Sequence, residues 1–213
     1  ELNNVLGDPN FYCRIRDDFL GSALSTNWTQ TVSGIGAFSN IDTTYRNGVV
    51  RLTAGSSGAN EGIISWAGTQ INPAYIRYLK FRFQLINSGN ENHLLGIANA
   101  ALTDGIGLQK IAGAAWTVVT RSGGVSTSST TTVLADAAWH TVEIFIKDTD
   151  IISIYSPSNL NAVVFRLDYT ETFIHTTNIP TANLNMFFRS KTTAAVNRTI
   201  LLDYVDMYTE REL

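Results

Sequence analysis

Apolar and polar residues alternate along most of the chain, and this alternation predicts β-strands. In RYLKFRFQL, residues 77–85, the polar residues Lys80, Arg82 and Gln84 separate the apolar ones. A period of two places one face of a strand in a core and the other in water. The same period recurs in TVEIFIK, residues 141–147, and in NAVVFRLD, residues 161–168. These segments predict a set of inner-face residues, namely Leu79, Phe81, Phe83, Val142, Ile144, Ile146, Val163, Phe165 and Leu167.

Turn signals divide the rest of the chain into short segments. Asn47-Gly48, Gly55-Ser-Ser-Gly58 and Ser122-Gly-Gly124 separate strand candidates that recur about every dozen residues, which is typical of an all-β sandwich or barrel. The further candidates are NGVVRLTAG, EGIISWAG, HLLGIAN, GIGLQKI, AAWTVVTR, DIISIYS, LNMFFRSK and RTILLDYVDMY. Helix signals are few, and LGSALSTNW and INPAYIRYL are each predicted to form about one turn. The Ser/Thr run VSTSSTTTVL is interpreted as a hairpin arm or loop.

No linker, repeat or change of composition divides the 213 residues. One β-sandwich domain commonly has this length. We therefore predict a single sandwich domain over residues 17–213, preceded by an N-terminal arm or extension over residues 1–16. The arm is rich in apolar residues although it precedes the fold, so we expect it to dock on a partner. Its candidate docking residues are Leu2, Val5, Leu6, Phe11 and Tyr12.

The composition excludes several classes of partner. Only 15% of the residues are charged, against ~25% in a typical domain. The net charge is -3 and no cluster of Lys and Arg occurs, so nucleic acid is not an expected partner. No apolar run approaches the ~20 residues that cross a bilayer, so no membrane partner is expected. Abundant Ser, Thr and Asn instead predict a neutral exterior suited to sugars or to repeated protein contacts.

No metal or other cofactor is expected. Cys13 is the only cysteine, which excludes an internal disulfide and a cysteine-based zinc site. The three histidines form no pair with metal-ligand spacing. Asp148 and Asp150 are close enough in sequence to suggest calcium ligands. We favour the alternative that they lie in a solvated hairpin turn between two strands.

Active-site patterns are weak in this sequence. His140 shares a predicted strand face with core residues, whereas Glu143, three residues away, faces the other side, so we interpret His140 as structural. None of the seven glutamates begins a Glu-x-Asp-x-x-Glu pattern. Asp203 and Asp206 differ by three and would face opposite ways in a strand, which does not suit a two-carboxylate hydrolase. We therefore predict that the protein is not an enzyme.

Aromatic residues offer the remaining candidate chemistry. Tryptophan and tyrosine rings can stack on sugars where one face of the ring is exposed, although packing in the core is the usual role of Trp in a sandwich. Trp66 ends a predicted strand, and Trp116 lies in another beside Thr117. With Tyr45, these two tryptophans are our candidate ligand-binding residues.

The order of the elements resembles the concanavalin A-like (laminin G/lectin/glucanase) jelly-roll superfamily. The resemblance rests on the opening DDFLGSALSTNW, the central AAWHTVEIFI and the closing RTILLDYVDMY, and it extends from Asp17 to Tyr208. It implies an antiparallel jelly-roll sandwich of two packed sheets. The chain departs from the enzymes of the superfamily, because Glu-x-Asp-x-x-Glu is missing, and SPSNLN replaces the usual Asp-Gly turn after the central strand.

Within that superfamily, the opening segment, NGVVRLTAG and the closing segment look like domains of tailed-phage virion proteins. This likeness implies a non-catalytic structural or attachment module for capsid decoration, a head fibre or the tail. Its partners would be other virion proteins or itself as a homo-oligomer, and its location the virion surface or otherwise outside the cell. The alternatives are a lectin-like module that binds carbohydrate, including cell-surface glycans, and a glycan hydrolase or lyase.

Overall fold

The computed structural model describes residues 12–34, 37–45, 48–67, 70–87, 89, 91–134 and 136–210. Within these ranges the chain is almost entirely β-structure. The strands are β1 (Tyr12–Asp17), β2 (Trp28–Ser33), β3 (Ala37–Ile41), β4 (Val50–Ala54), β5 (Glu61–Trp66), β6 (Ile76–Leu85), β7 (Asn92–Ala98), β8 (Gly105–Ile111), β9 (Trp116–Ser122), β10 (Val125–Thr130), β11 (Trp139–Phe145), β12 (Val163–Leu167), β13 (Glu171–His175), β14 (Asn185–Lys191) and β15 (Thr199–Glu210). One 3₁₀ helix (Pro73–Tyr75) and one α-helix, α1 (Thr149–Tyr155), complete the described elements. In the described part of the chain, no helix is long and apolar enough to span a membrane.

The described strands form two antiparallel sheets. An eight-stranded sheet has the order β13-β12-β11-β6-β15-β4-β3, with β1 also paired to β15, and a seven-stranded sheet has the order β10-β9-β8-β7-β14-β5-β2. Each sheet combines neighbours that are consecutive in sequence, such as β9 and β10, with neighbours that are distant, such as β6 with β15 and β7 with β14. The predicted all-β, antiparallel two-sheet sandwich is confirmed.

The inner faces of the sheets form one apolar core. All nine residues predicted for it are at most 2% exposed. Phe81 of the eight-stranded sheet packs edge-on against Phe188 of the seven-stranded sheet, with ring centroids 5.4 Å apart. Trp28 lies 6.2 Å from the same Phe188 ring. Aromatic pairs of this geometry stabilise a core beyond the area that they bury.

The segment DIISIYS is helical, so its prediction as a strand was wrong. It lies in α1, and the Asp148 carboxylate caps this helix by accepting a hydrogen bond from Ile151 N at 3.0 Å. Ile152 is buried against Phe145 and Val164. The acidic residues therefore do not lie in a hairpin turn, because Asp148 is an N-cap and Asp150 lies in the first helical turn, where negative charge is stabilising.

Three shorter predictions had different outcomes. INPAYIRYL contains the 3₁₀ helix, which Asn72 caps by accepting from Ala74 N at 2.9 Å. LGSALSTNW forms bends and turns rather than a helical turn. VSTSSTTTVL supplies β10, which pairs with β9 as a hairpin arm.

The first described strand begins inside the segment predicted as an arm. Tyr12 lies opposite Glu210, and β1 continues along β15 to Asp17. The other candidate docking residues, Leu2, Val5, Leu6 and Phe11, lie outside the described residues. Docking of the arm on a partner therefore stays a prediction.

A buried polar cluster, Glu91, His93, Lys110 and Arg198, lies beside Trp116. Glu91 is fully buried, with one carboxylate oxygen 3.2 Å from Lys110 Nζ and the other 3.8 Å from Arg198 Nε. His93 is also fully buried, and its ring stacks on Trp116 with centroids 5.9 Å apart. Burial and the nearby cations lower the pKa of His93 to about 3. His93 is therefore neutral at pH 7.

We expect this buried histidine to make the protein less stable in mild acid. The unfolded chain protonates His93 near its ordinary pKa of ~6.5, whereas the folded chain does so only near pH 3. Unfolding therefore takes up a proton below pH 6.5, and between pH 7 and pH 5 the free energy of unfolding should fall by about 2 kcal/mol through this group alone. Urea denaturation of the wild type and of His93→Leu at both pH values measures it.

The comparison between the two proteins isolates His93 from the other titrating groups. The loss on acidification should be about 2 kcal/mol smaller in His93→Leu, whatever its stability at pH 7. Equal losses in the two proteins would contradict a lowered pKa of the buried His93.

Candidate functional site

Glycines occupy the middle of the outer face of the seven-stranded sheet. Gly96 of β7 lies opposite Gly107 of β8, and Gly105 lies opposite Ala98. A Cβ added at Gly96 would lie 2.4 Å from Ile106 O, and one added at Gly107 would lie 2.2 Å from Leu95 O. Only glycine permits this close approach of the two strands. We name the strip of Gly96, Gly105 and Gly107 the glycine trough.

Apolar side chains flank the glycine trough on the neighbouring strands. Phe187 of β14 pairs with Gly96, and Val119 of β9 pairs with Gly107. Both face outward, because their neighbours Phe188 and Val118 belong to the core. Phe187 is half-buried, and Val119 is only 3% exposed. The centre of the outer face is therefore apolar and recessed relative to the flanking side chains, with the Phe187 ring beside it.

Hydrogen-bonding groups line one side of the trough. The Arg121 guanidinium donates to Leu102 O at 3.0 Å, to Gln109 Oε1 at 3.2 Å and to Ser126 Oγ at 2.8 Å. These bonds fix the guanidinium and the Gln109 amide along the trough. A shallow depression at this point is lined by Leu94, Ala98, Leu102, Asp104, Gly105, Val119 and Arg121.

Another cation lies on the other side of the same face. Arg189 of β14 is opposite Leu94 and donates from Nη2 to Asn92 Oδ1 at 3.2 Å. It is 8% exposed, and burial lowers the pKa of its guanidinium. An apolar floor with a few fixed polar groups around it is the usual composition of a small-molecule site. Sugar rings, which carry hydroxyls around apolar C–H faces, match this composition.

Carboxylates are absent from the centre of this face. The outward positions of β7, β8 and β14 carry no Asp or Glu in the described structure. Asp104 precedes β8, and its oxygens accept from Gly123 N at 3.0 Å and Thr103 Oγ1 at 2.9 Å. Glu61 begins β5 and lies 3.8 Å from Lys191. Glycosidases need two carboxyl groups flanking one bond, and the three central strands do not supply them.

The structure does not bring the predicted ligand-binding residues together. Trp116 is 2% exposed and packs against Phe83, so its ring offers no free face to a sugar. The period of β9 explains this, because Trp116 points inward and Thr117 outward. Trp66 is half-buried and meets Trp28 edge-on at 5.3 Å.

Tyr45 lies on the other side of the sandwich. Its ring is 36% exposed and meets Trp139 of the eight-stranded sheet edge-on, with centroids 6.5 Å apart. It therefore shares no described ring contact with Trp66 or Trp116. Sugar binding by Tyr45 and Trp66 stays a prediction.

His140 has carboxylate partners that the sequence did not indicate. Its Nδ1 lies 2.7 Å from Asp168 Oδ2, and its Nε2 lies 3.1 Å from Asp136 Oδ1. Asp168 also accepts from Thr141 N at 2.7 Å and has a left-handed backbone, with φ of 46°. His140 is 3% exposed. The arrangement ties the turn after β12 to the start of β11, as expected of a structural histidine.

Asp168 was missed because it lies 28 residues from His140 in sequence. Only the pairing of β11 with β12 brings the two together. Across the described ranges, no group of three or more His, Cys, Asp or Glu residues is arranged to hold a metal ion.

The sandwich is similar to solved structures of glucanases. A β-glucanase of Bacillus licheniformis is 12% identical with a TM-score of 0.65, covering 93% of this chain and 98% of that one. A β-1,3-1,4-glucanase (lichenase) from a mouse hindgut metagenome is 11% identical with a TM-score of 0.66, covering 91% and 98%. A Mycobacterium tuberculosis protein described as an immunostimulatory antigen and pseudo β-1,3-glucanase is 11% identical with a TM-score of 0.61, covering 93% and 98%. No family model and no curated protein matches the sequence significantly.

These similarities confirm the concanavalin A-like jelly-roll fold, at identities that establish the fold alone. They correct the first-ranked function. The prediction of a phage virion-surface module was wrong, because the similar structures with a named function include glucanases and a glycosyl hydrolase family protein. The phage likeness rested on hydrophobic strand patterns, which any sandwich of this fold shares. Since the neighbours include both named glucanases and a named pseudo-glucanase, the absence of catalysis remains a prediction.

We expect Asp168 and Asp136 to differ sharply in their contribution to stability. Asp168→Ala leaves the buried His140 ring and Thr141 N without their acceptor, which costs about 2 kcal/mol of unfolding free energy. Asp136 has a side chain that is 71% exposed, so Asp136→Ala should change stability by no more than about 0.5 kcal/mol. Urea denaturation at pH 7 measures both. Equal effects of the two substitutions would mean that the Asp168 bonds do not anchor the turn.

Proposed function

We propose that this protein binds a polysaccharide of the β-glucan class along the glycine trough. The observation that carries the proposal is the trough itself, an apolar floor without side chains, flanked by Phe187 and by the fixed Arg121 and Gln109 groups. The similarity to a β-glucanase and a lichenase supports the choice of glycan.

Each part of the trough has a distinct role in this proposal. In this proposal a sugar ring lies on the backbone of β7 and β8, where the paired glycines carry no side chains. Phe187 presents an aromatic ring to the apolar face of a sugar. Arg121 donates to hydroxyl oxygens, and the Gln109 amide can both donate and accept. Because the ligand is uncharged, its affinity should change little with salt.

Loss of the Phe187 ring should weaken glucan binding. We expect saturable binding of barley β-glucan or laminarin by isothermal titration calorimetry, and Phe187→Ala should weaken it at least tenfold, about 1.4 kcal/mol. Tyr45→Ala is the matched control, because it removes an exposed ring that packs on the opposite sheet, against Trp139. Its affinity should stay within twofold of the wild type. Absence of binding, or a loss confined to Tyr45→Ala, would overturn the trough as the glucan site.

Hydrolysis of the bound glycan is the second candidate. It is favoured by the similarity to glucanases and by Asp104, a carboxylate that lines the depression beside Arg121. One carboxylate cannot act as both the acid and the base or nucleophile of glycoside hydrolysis. Binding without turnover is therefore the outcome that the described residues favour.

We expect no release of new reducing ends when the protein is incubated with lichenan or laminarin. The assay should compare the wild type with Asp104→Asn, which keeps the shape of the side chain and removes its acid–base chemistry. Reducing ends released by the wild type and not by Asp104→Asn would establish hydrolysis instead and assign Asp104 to it.

A further inference from the structure

We propose that the outer face of the eight-stranded sheet holds a separate site for an anionic polysaccharide, one whose sugars carry carboxylate or sulfate groups. The site is a stripe of neighbouring cations and aromatic rings, here named the cation–aromatic stripe. Its members are Tyr45, Lys80, Arg82, Trp139, Arg166 and Tyr169. The proposal does not depend on glucan binding in the trough, which lies on the other sheet.

The pairing of β6 with β11 builds the stripe. Lys80 and Arg82 face outward on β6, opposite Glu143 and Thr141, and Trp139 lies opposite Gln84. The Arg82 guanidinium carbon lies 5.1 Å from the centre of the Trp139 ring. From residue 78 to residue 84 the strand extends about 20 Å. The stripe is therefore long enough to contact several sugars of one chain.

The second half of the stripe forms around Tyr169. Lys80 Nζ lies 5.2 Å and the Arg166 guanidinium carbon 5.4 Å from the centre of this ring. The ring belongs to the turn after β12 and is 59% exposed. Tyr169 also accepts a hydrogen bond from Lys80 at 2.8 Å. An exposed ring between two cations offers both stacking and charge to a ligand.

The cations of the stripe are closer to solvent than the carboxylates they pair with. The Arg82 side chain is 42% exposed, whereas that of its partner Asp203 is 20% exposed. Lys80 and Arg166 are 22% and 29% exposed, whereas Glu143 between them is 6% exposed. A ligand approaching this face therefore meets guanidinium and ammonium groups first, and the carboxylates lie beneath them.

Arg82 has hydrogen-bond donors to spare. Its one described hydrogen bond runs from Nη1 to Asp203 Oδ2 at 3.0 Å, and a guanidinium carries five N–H donors. The remaining donors can bind a carboxylate or a sulfate in a bidentate manner. Trp139 and Tyr45 then lie beside the charged group, in position to contact the ring that bears it.

The carboxylates of this face favour a polysaccharide over nucleic acid. Glu143 and Asp203 lie between and beneath the cations, and the densely charged backbone of nucleic acid would meet those carboxylates as well. A polysaccharide carries fewer charges along its chain, and its sugar rings match the aromatic residues of the stripe.

The test is binding of polygalacturonate, which carries carboxylates, and of dextran sulfate, measured by calorimetry at 20 mM and 300 mM NaCl. We expect saturable binding of at least one at low salt, weakened at high salt, and at least fivefold weaker in Arg82→Gln and in Trp139→Ala. Two control variants should bind within twofold of the wild type. They are Lys191→Gln, which removes one cation from the other sheet, and Phe187→Ala, which removes a ring from the trough.

The outcomes separate this site from the glucan site and from simple charge attraction. Tighter binding of polygalacturonate would identify carboxylated sugars as the ligand, and tighter binding of dextran sulfate would identify sulfated sugars. Either result supports the proposal. Arg82→Gln should leave β-glucan binding unchanged. The stripe proposal can therefore fail while glucan binding in the trough persists, and the trough proposal can fail while the anionic probes still bind. No binding of either probe at 20 mM NaCl would overturn the stripe as a site. So would equal losses in Arg82→Gln and Lys191→Gln, or polyphosphate binding of equal strength that Trp139→Ala leaves unchanged.

Discussion

The packing of Phe81 against Phe188 joins the two sheets, and the chemistry of both outer faces depends on it. Strand residues alternate between faces, so each ring that points inward determines what its neighbours present to solvent. Phe81 and Phe83 in the core place Lys80 and Arg82 on the outside of one sheet. Phe188 in the core places Phe187 and Arg189 on the outside of the other. The core thus sets the positions of candidate binding groups that it never touches.

The alternating strands were predictable because their pattern is local. RYLKFRFQL and NAVVFRLD gave the core positions of β6 and β12, and each is at most 2% exposed. The helix at DIISIYS was not predictable in this way, because three isoleucines in a short segment suit a strand or a helix equally. The capping carboxylate of Asp148 and the burial of Ile152 against Val164 decide for the helix. The helical signal was present in the Asp148 cap, four residues before Ile152.

The candidate sites were less predictable than the fold, because they depend on contacts between distant strands. The glycine trough requires Gly96 and Gly107 to pair across β7 and β8, and neither glycine alone signals a site. The stripe requires Arg82 to lie over Trp139, 57 residues later in the chain. Trp116 illustrates the opposite error, since a residue chosen for its type proved to face the core. The wrong prediction of a phage virion-surface module has a related cause. A shared strand pattern indicates how the chain packs, and it does not indicate which chemistry its surface carries.

The two outer faces are free to differ in chemistry because the core isolates them. Packed sheets lie about 10 Å apart, and groups at that separation with no shared partners contribute to stability nearly independently. Substitutions at outward positions such as Phe187 or Arg82 therefore leave the packing of Phe81 on Phe188 intact. A glycine-floored face with fixed polar groups and a second face of cations and aromatic rings can then exist on one fold, and each is open to change without cost to the other.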